Sequence, residues 1–67
     1  MEKPYRAIGQ RIRAYRLVED LSVPEMCVYL ALSRSQYYRI EAGDNAPTCD
    51  TLLALRALGC DPLQSDG

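Results

Sequence analysis

Two helix-start signals stand close together in this chain. Ser22-Val23-Pro24-Glu25 and Ser33-Arg34-Ser35-Gln36 each set a serine three residues before a glutamate or glutamine. In that pattern the hydroxyl accepts from the backbone N–H three residues on, and the longer side chain reaches back to the serine's own N–H. Pro24 falls in the first turn, where its missing N–H costs no intrahelical bond. Met26, Cys27 and Leu30 then supply an apolar face, so a helix is expected over 23–30. The second signal opens a helix over 34–41 that must stop before Gly43, a residue suited to the left-handed conformation that ends helices. Only Ala31, Leu32 and Ser33 remain to join the two, so they must meet through a tight turn.

Further helices flank this helix-turn-helix unit. Ile8, Ile12 and Tyr15 form one stripe and predict a first helix over about 5–19, with its arginines largely off that stripe. After the turn-rich Gly43-Asp44-Asn45-Ala46-Pro47, Thr48 caps a helix over 49–58 in which Leu52, Leu55 and Leu58 face the core and Gly59 closes. Asp61-Pro62-Leu63-Gln64 could open a short turn over 61–65, with the aspartate as cap. Nowhere does the alternation of a strand occur. The expected fold is all-α: a compact bundle of four to five short helices with a central helix-turn-helix, forming one domain over 1–67 because a chain of 67 residues supports one core.

Cys27, Cys49 and Cys60 are odd in number and irregularly spaced, and the chain has no histidine to complete a zinc site. All three therefore read as small buried apolar residues in a reducing compartment, with no metal and no cofactor expected. No apolar run approaches the ~20 residues that cross a bilayer, so a cytoplasmic protein without membrane contact is expected. Without histidine, clustered carboxylates or an activated nucleophile there is no constellation to carry catalysis, and an enzyme is not expected.

The formal net charge is -1, yet it is unevenly spread. From Lys3 to Arg16 there are five bases and no acid; from residue 42 onward Arg56 stands alone against Asp44, Asp50, Asp61 and Asp66. Local charge decides what a face attracts. On the third helix Tyr37 and Ile40 point one way, and Ser35, Arg39 and Tyr38 the other, with Arg34 at the exposed start. The outward face thus carries hydroxyl, phenol and guanidinium groups and no carboxylate. Those groups can hydrogen-bond base edges or phosphates, although a solvated helix face carries arginine and serine too.

The order Ile8-Gly9-x-Arg11-Ile12-Arg13 through Arg16, Leu21-Ser22, Leu32-Ser33-Arg34-Ser35, Arg39-Ile40-Glu41-x-Gly43, Pro47, and Leu52 to Gly59 resembles the lambda-repressor-like, Cro and phage-repressor (XRE-type) helix-turn-helix family over about residues 7 to 60. The resemblance implies a DNA-binding transcriptional regulator, usually a homodimer on a palindromic operator, whose third helix enters the major groove while the second crosses the backbone. By position, Arg34, Ser35, Tyr38 and Arg39 would read bases. Ser22, Arg11, Arg13 and Gln36 would meet the DNA backbone, with Lys3 and Arg6 as further anchors. Arg16 and Glu41 match a structural salt bridge.

Several positions depart from the family. Val23 replaces a phosphate-contacting glutamine, and Asp20 replaces a helix-ending glycine. Ala31 replaces the turn glycine and predicts a turn of slightly different shape. Tyr37 replaces a branched aliphatic and must find a partner for its hydroxyl. Cys49 and Cys60 fall where the family buries Leu or Val.

The expected partner is a double-stranded DNA operator, bound by a homodimer formed in solution or only on DNA, with Leu63 and the fourth helix as the available interface. A protein-interaction module on the same fold (an antitoxin, an anti-repressor, or a factor that contacts RNA polymerase) is the alternative.

Overall fold

The structure, a computed structural model, describes residues 4–60. Its elements are α1 (Arg6–Val18), α2 (Val23–Leu30), α3 (Arg34–Ala42) and α4 (Cys49–Leu58), with no strand among the described residues. α2 and α4 coincide with their expected bounds. α3 extends one residue further, and α1 begins and ends one residue inside the expected span. Tyr5 precedes α1 without a side-chain cap bond, because a phenol cannot fold back onto the first turn as serine does. The expected turn over 61–65, and Lys3 and Leu63, lie outside the described residues.

Both capping boxes form. The Ser22 and Ser33 hydroxyls accept from the N–H of Glu25 and Gln36, each at 3.2 Å, and Glu25 and Gln36 return bonds to the serine N–H groups at 3.1 and 3.0 Å. Thr48 caps α4 from its hydroxyl alone.

Each helix ends in the same way, with one left-handed residue followed by a backbone bond that reaches back five positions. Asp20 and Ala31 (both φ 55), Gly43 (φ 89) and Gly59 (φ 103) occupy the left-handed position. The closing bonds are Leu21 N–H to Arg16 O, Leu32 N–H to Cys27 O, Asp44 N–H to Arg39 O, and Cys60 N–H to Leu55 O, at 2.8 to 3.0 Å. These are Schellman closures. The turn between α2 and α3 therefore keeps the left-handed geometry that a glycine would favour, and Ala31 adopts it at a steric cost of about 1–2 kcal/mol.

The core is built from Ile12 of α1, Met26, Cys27 and Leu30 of α2, Tyr37 and Ile40 of α3, Leu55 of α4, and Cys60. Ile8, Tyr15, Leu21, Val23, Leu32, Ala54 and Leu58 pack around it. On α4, Leu55 is fully buried while Leu52 and Leu58 are half-buried, and Thr51 takes the remaining inward position.

Cys27 and Cys60 are buried as expected, but Cys49 is exposed. The correction follows from helical phase: Cys49 precedes the inward-facing Thr51 by two residues, which at ~100° each turns it almost to the opposite side. The Tyr15 hydroxyl donates to the Leu58 carbonyl at 2.8 Å and ties α1 to the end of α4; burial pushes its pKa up.

α1 and α3 approach most closely at Gly9. A Cβ there would stand 2.3 Å from the Glu41 carbonyl oxygen and 2.6 Å from that of Ile40, so the backbones touch without an intervening side chain.

Candidate nucleic-acid interface

The orientation of α3 follows from what its inner face binds. Tyr37 is fully buried and Ile40 nearly so. The Tyr37 hydroxyl donates to Glu41 Oε2 at 2.5 Å, one helical turn along the same face. Arg16 of α1 meets the same carboxylate with a fork, Nε to Oε2 at 3.2 Å and Nη2 to Oε1 at 3.4 Å, while its Nη1 donates to the Leu21 carbonyl at 3.3 Å. The expected Arg16–Glu41 pair is therefore present, and Tyr37 makes it a triad.

The bond to Glu41, aided by its charge, raises the Arg16 pKa even though burial opposes it. Burial, with the hydrogen bond to Glu41, pushes the Tyr37 phenol well above its ordinary value. Arg13 Nε also lies 4.0 Å from Glu41 Oε1, but its side chain is 64% exposed, so this approach is weakly held.

The Tyr37–Glu41 bond and the approach of Arg13 were not anticipated from the residues. The signal was present in both cases: Tyr37 and Glu41 are spaced i, i+4, and Arg13 and Arg16 are spaced i, i+3.

With Glu41 turned inward, the outer side of α3 carries no acid. Arg34, Ser35, Tyr38 and Arg39 are all exposed. At ~100° per residue they share an arc of ~140°, opposite Ile40. Neither guanidinium on that arc has a hydrogen-bond or ion-pair partner among the described residues. Tyr38 is 54% exposed and sits edge-on to Tyr37, with ring centroids 6.4 Å apart. All four expected base readers thus fall on one open surface.

The expected backbone contacts are less uniform. Arg13 is exposed beside the end of α3, and Arg11 is half-buried on α1. Ser22 already donates its hydroxyl to Glu25 Oε1 at 2.9 Å. Hydrogen bonds from the Ser22 backbone N–H and then its hydroxyl hold the Glu25 pKa below the usual value, so a carboxylate charge stands beside that serine at neutral pH. The Gln36 carbonyl accepts from the Ser33 N–H and hydroxyl at 3.0 and 3.2 Å, which leaves its amide nitrogen as the group able to reach outward.

No described helix is long and apolar enough to cross a membrane. The family model described as a helix-turn-helix domain matches residues 7–65, nearly the whole chain. No curated protein and no solved structure gives a significant match. The Cro-like order of motifs, the left-handed turn between two capped helices and this match lead to one conclusion: the chain belongs to the helix-turn-helix domain family of DNA-binding proteins, of the XRE and Cro-like kind.

Proposed function

We propose that this chain is a sequence-specific regulator of transcription that lays α3 in the major groove of an operator, reads bases with Arg34, Ser35, Tyr38 and Arg39, and acts in the cytoplasm as a homodimer on a palindromic site. The observation that carries this reading is the outer arc of α3, where two guanidiniums without a partner among the described residues, a hydroxyl and a phenol stand together with the helix's carboxylate turned away. Arginine can grip guanine bidentately, and serine and tyrosine can meet bases or phosphates. Phosphate anchoring falls to Arg11, Arg13 and the Gln36 amide nitrogen, whereas Ser22 reaches a phosphate by exchanging its bond to Glu25.

The test is a titration of duplex DNA, selected from a random pool, at several salt concentrations. Affinity should fall steeply as salt rises, because each neutralised phosphate releases counterions. Arg34→Ala should cost ~1–3 kcal/mol on the selected site and relax preference at one position. Equal losses on selected and random duplexes would reassign Arg34 to the backbone.

A second reading is favoured by exposed apolar side chains on other faces: Leu17 and Val18 on α1, Val28 and Tyr29 on α2, and Leu53 on α4. A module that binds protein, such as an antitoxin, an anti-repressor or a factor that meets RNA polymerase, would use such surfaces. A pool that yields no selected sequence and no salt-dependent binding supports this reading instead.

A further inference from the structure

Which bases α3 selects follows from what its own cap leaves available. In the major groove adenine is read best by an amide whose carbonyl accepts from N6 while its NH2 donates to N7. The amide on α3 is Gln36, and its carbonyl oxygen is held by the N–H and hydroxyl of Ser33 at 3.0 and 3.2 Å. Withdrawing it would undo the reciprocal cap that starts the helix. Cytosine is read by a carboxylate that accepts from N4, and the carboxylate of α3, Glu41, is clamped inward by Arg16 and Tyr37. The hydroxyls of Ser35 and Tyr38 can meet any base, so the groups on the arc that discriminate are Arg34 and Arg39, whose guanidiniums have no partner among the described residues. Both are pure donors, and guanine is the base that offers paired acceptors, O6 and N7, to a donor fork.

Resting on the DNA-binding reading above, we infer that each half-site holds two guanines, one under Arg34 and one under Arg39, and that neither Gln36 nor Glu41 reads a base. The arginines are five positions apart, a rise of ~7.5 Å along the helix. With base pairs stacked every ~3.4 Å, the guanines fall roughly two pair steps apart, on the same or opposite strands.

Selection from a random duplex library, followed by titrations in which 7-deazaguanine replaces each enriched guanine in turn, tests this inference. The analogue keeps Watson–Crick pairing and removes the N7 acceptor. The expected output has two guanines per half-site, each replacement weakening the wild-type protein roughly 5- to 100-fold. Arg34→Ala should lose sensitivity at one guanine and Arg39→Ala at the other. Both side chains are exposed and have no partner among the described residues, so circular dichroism of the two variants should match the parent.

A wild-type protein indifferent to 7-deazaguanine, or a selected motif without the guanine pair, overturns the inference while leaving DNA binding intact. An adenine motif abolished by Gln36→Ala also overturns it. Absence of any selected or salt-dependent binding removes the DNA-binding reading itself, and this inference with it.

Discussion

Gly9→Ala should destabilise the protein, against the ordinary direction for a glycine inside a helix. By helix propensity alone the change is worth about 1 kcal/mol in favour of alanine. The surroundings reverse that sign. The new methyl would stand 2.3 Å from the Glu41 carbonyl oxygen and 2.6 Å from that of Ile40, whereas a carbon–oxygen contact settles at about 3.3 Å.

Those oxygens belong to the α3 backbone and cannot rotate away, so the two helices must part by about 1 Å. Overpacking of this kind costs up to about 3 kcal/mol, which leaves a net loss near 2 kcal/mol. For a domain of this size the loss corresponds to a fall in Tm of roughly 8–16 °C. Urea unfolding followed by circular dichroism measures it, with Ala14→Gly, on the exposed side of the same helix, as the propensity control. A Gly9→Ala protein as stable as the parent, or more so, would show that α1 and α3 do not pack backbone to backbone, and the inward anchoring of α3 would lose its basis.

Ala31→Gly should raise stability by about 0.5–1 kcal/mol, since relief of left-handed strain exceeds the added freedom of the unfolded chain; an unchanged urea midpoint would mean the turn is not left-handed. Tyr37→Phe should cost about 1.5–3 kcal/mol, the worth of a hydrogen bond to a charged group, and denaturant titration reads it directly. Stability should also fall at alkaline pH. The folded Tyr37 pKa lies above its ordinary 10.0, so the contribution is complete below pH 10 and declines beyond it as the unfolded chain alone loses the proton. Urea midpoints across that range should fall less in Tyr37→Phe than in the parent. Ser33→Ala should cost about 1 kcal/mol by removing a cap, and an unaltered thermal midpoint would argue that the box does not close in solution.

The helices were legible because their ends are written in local chemistry. Serine and threonine caps, and glycines at 43 and 59, bound α2, α3 and α4 to within one residue. The start of α1 was less clear because Tyr5 gives no capping bond. The inward turn of Tyr37 and Ile40 followed from helical phase, and with it the open arc of α3. What escaped the residues alone was tertiary. Gly9 looks like a weak helix residue until α3 is laid across it, and the exposure of Cys49 depends on Thr51 being chosen for the core. That Ser22 and Gln36 are occupied could be anticipated from the capping boxes, but the distances show how little of each remains to offer DNA.

The clamp on Glu41 has a consequence for how mutants of this protein will look at the bench. Arg16 need never meet a nucleic acid for its loss to imitate a lost contact. Without its fork, the carboxylate would keep the Tyr37 hydroxyl but stand as an uncompensated charge able to repel phosphates, while α3 lost one of its ties to α1. Damage to architecture and damage to charge would arrive in a single substitution, and a binding curve by itself would ascribe both to the wrong arginine.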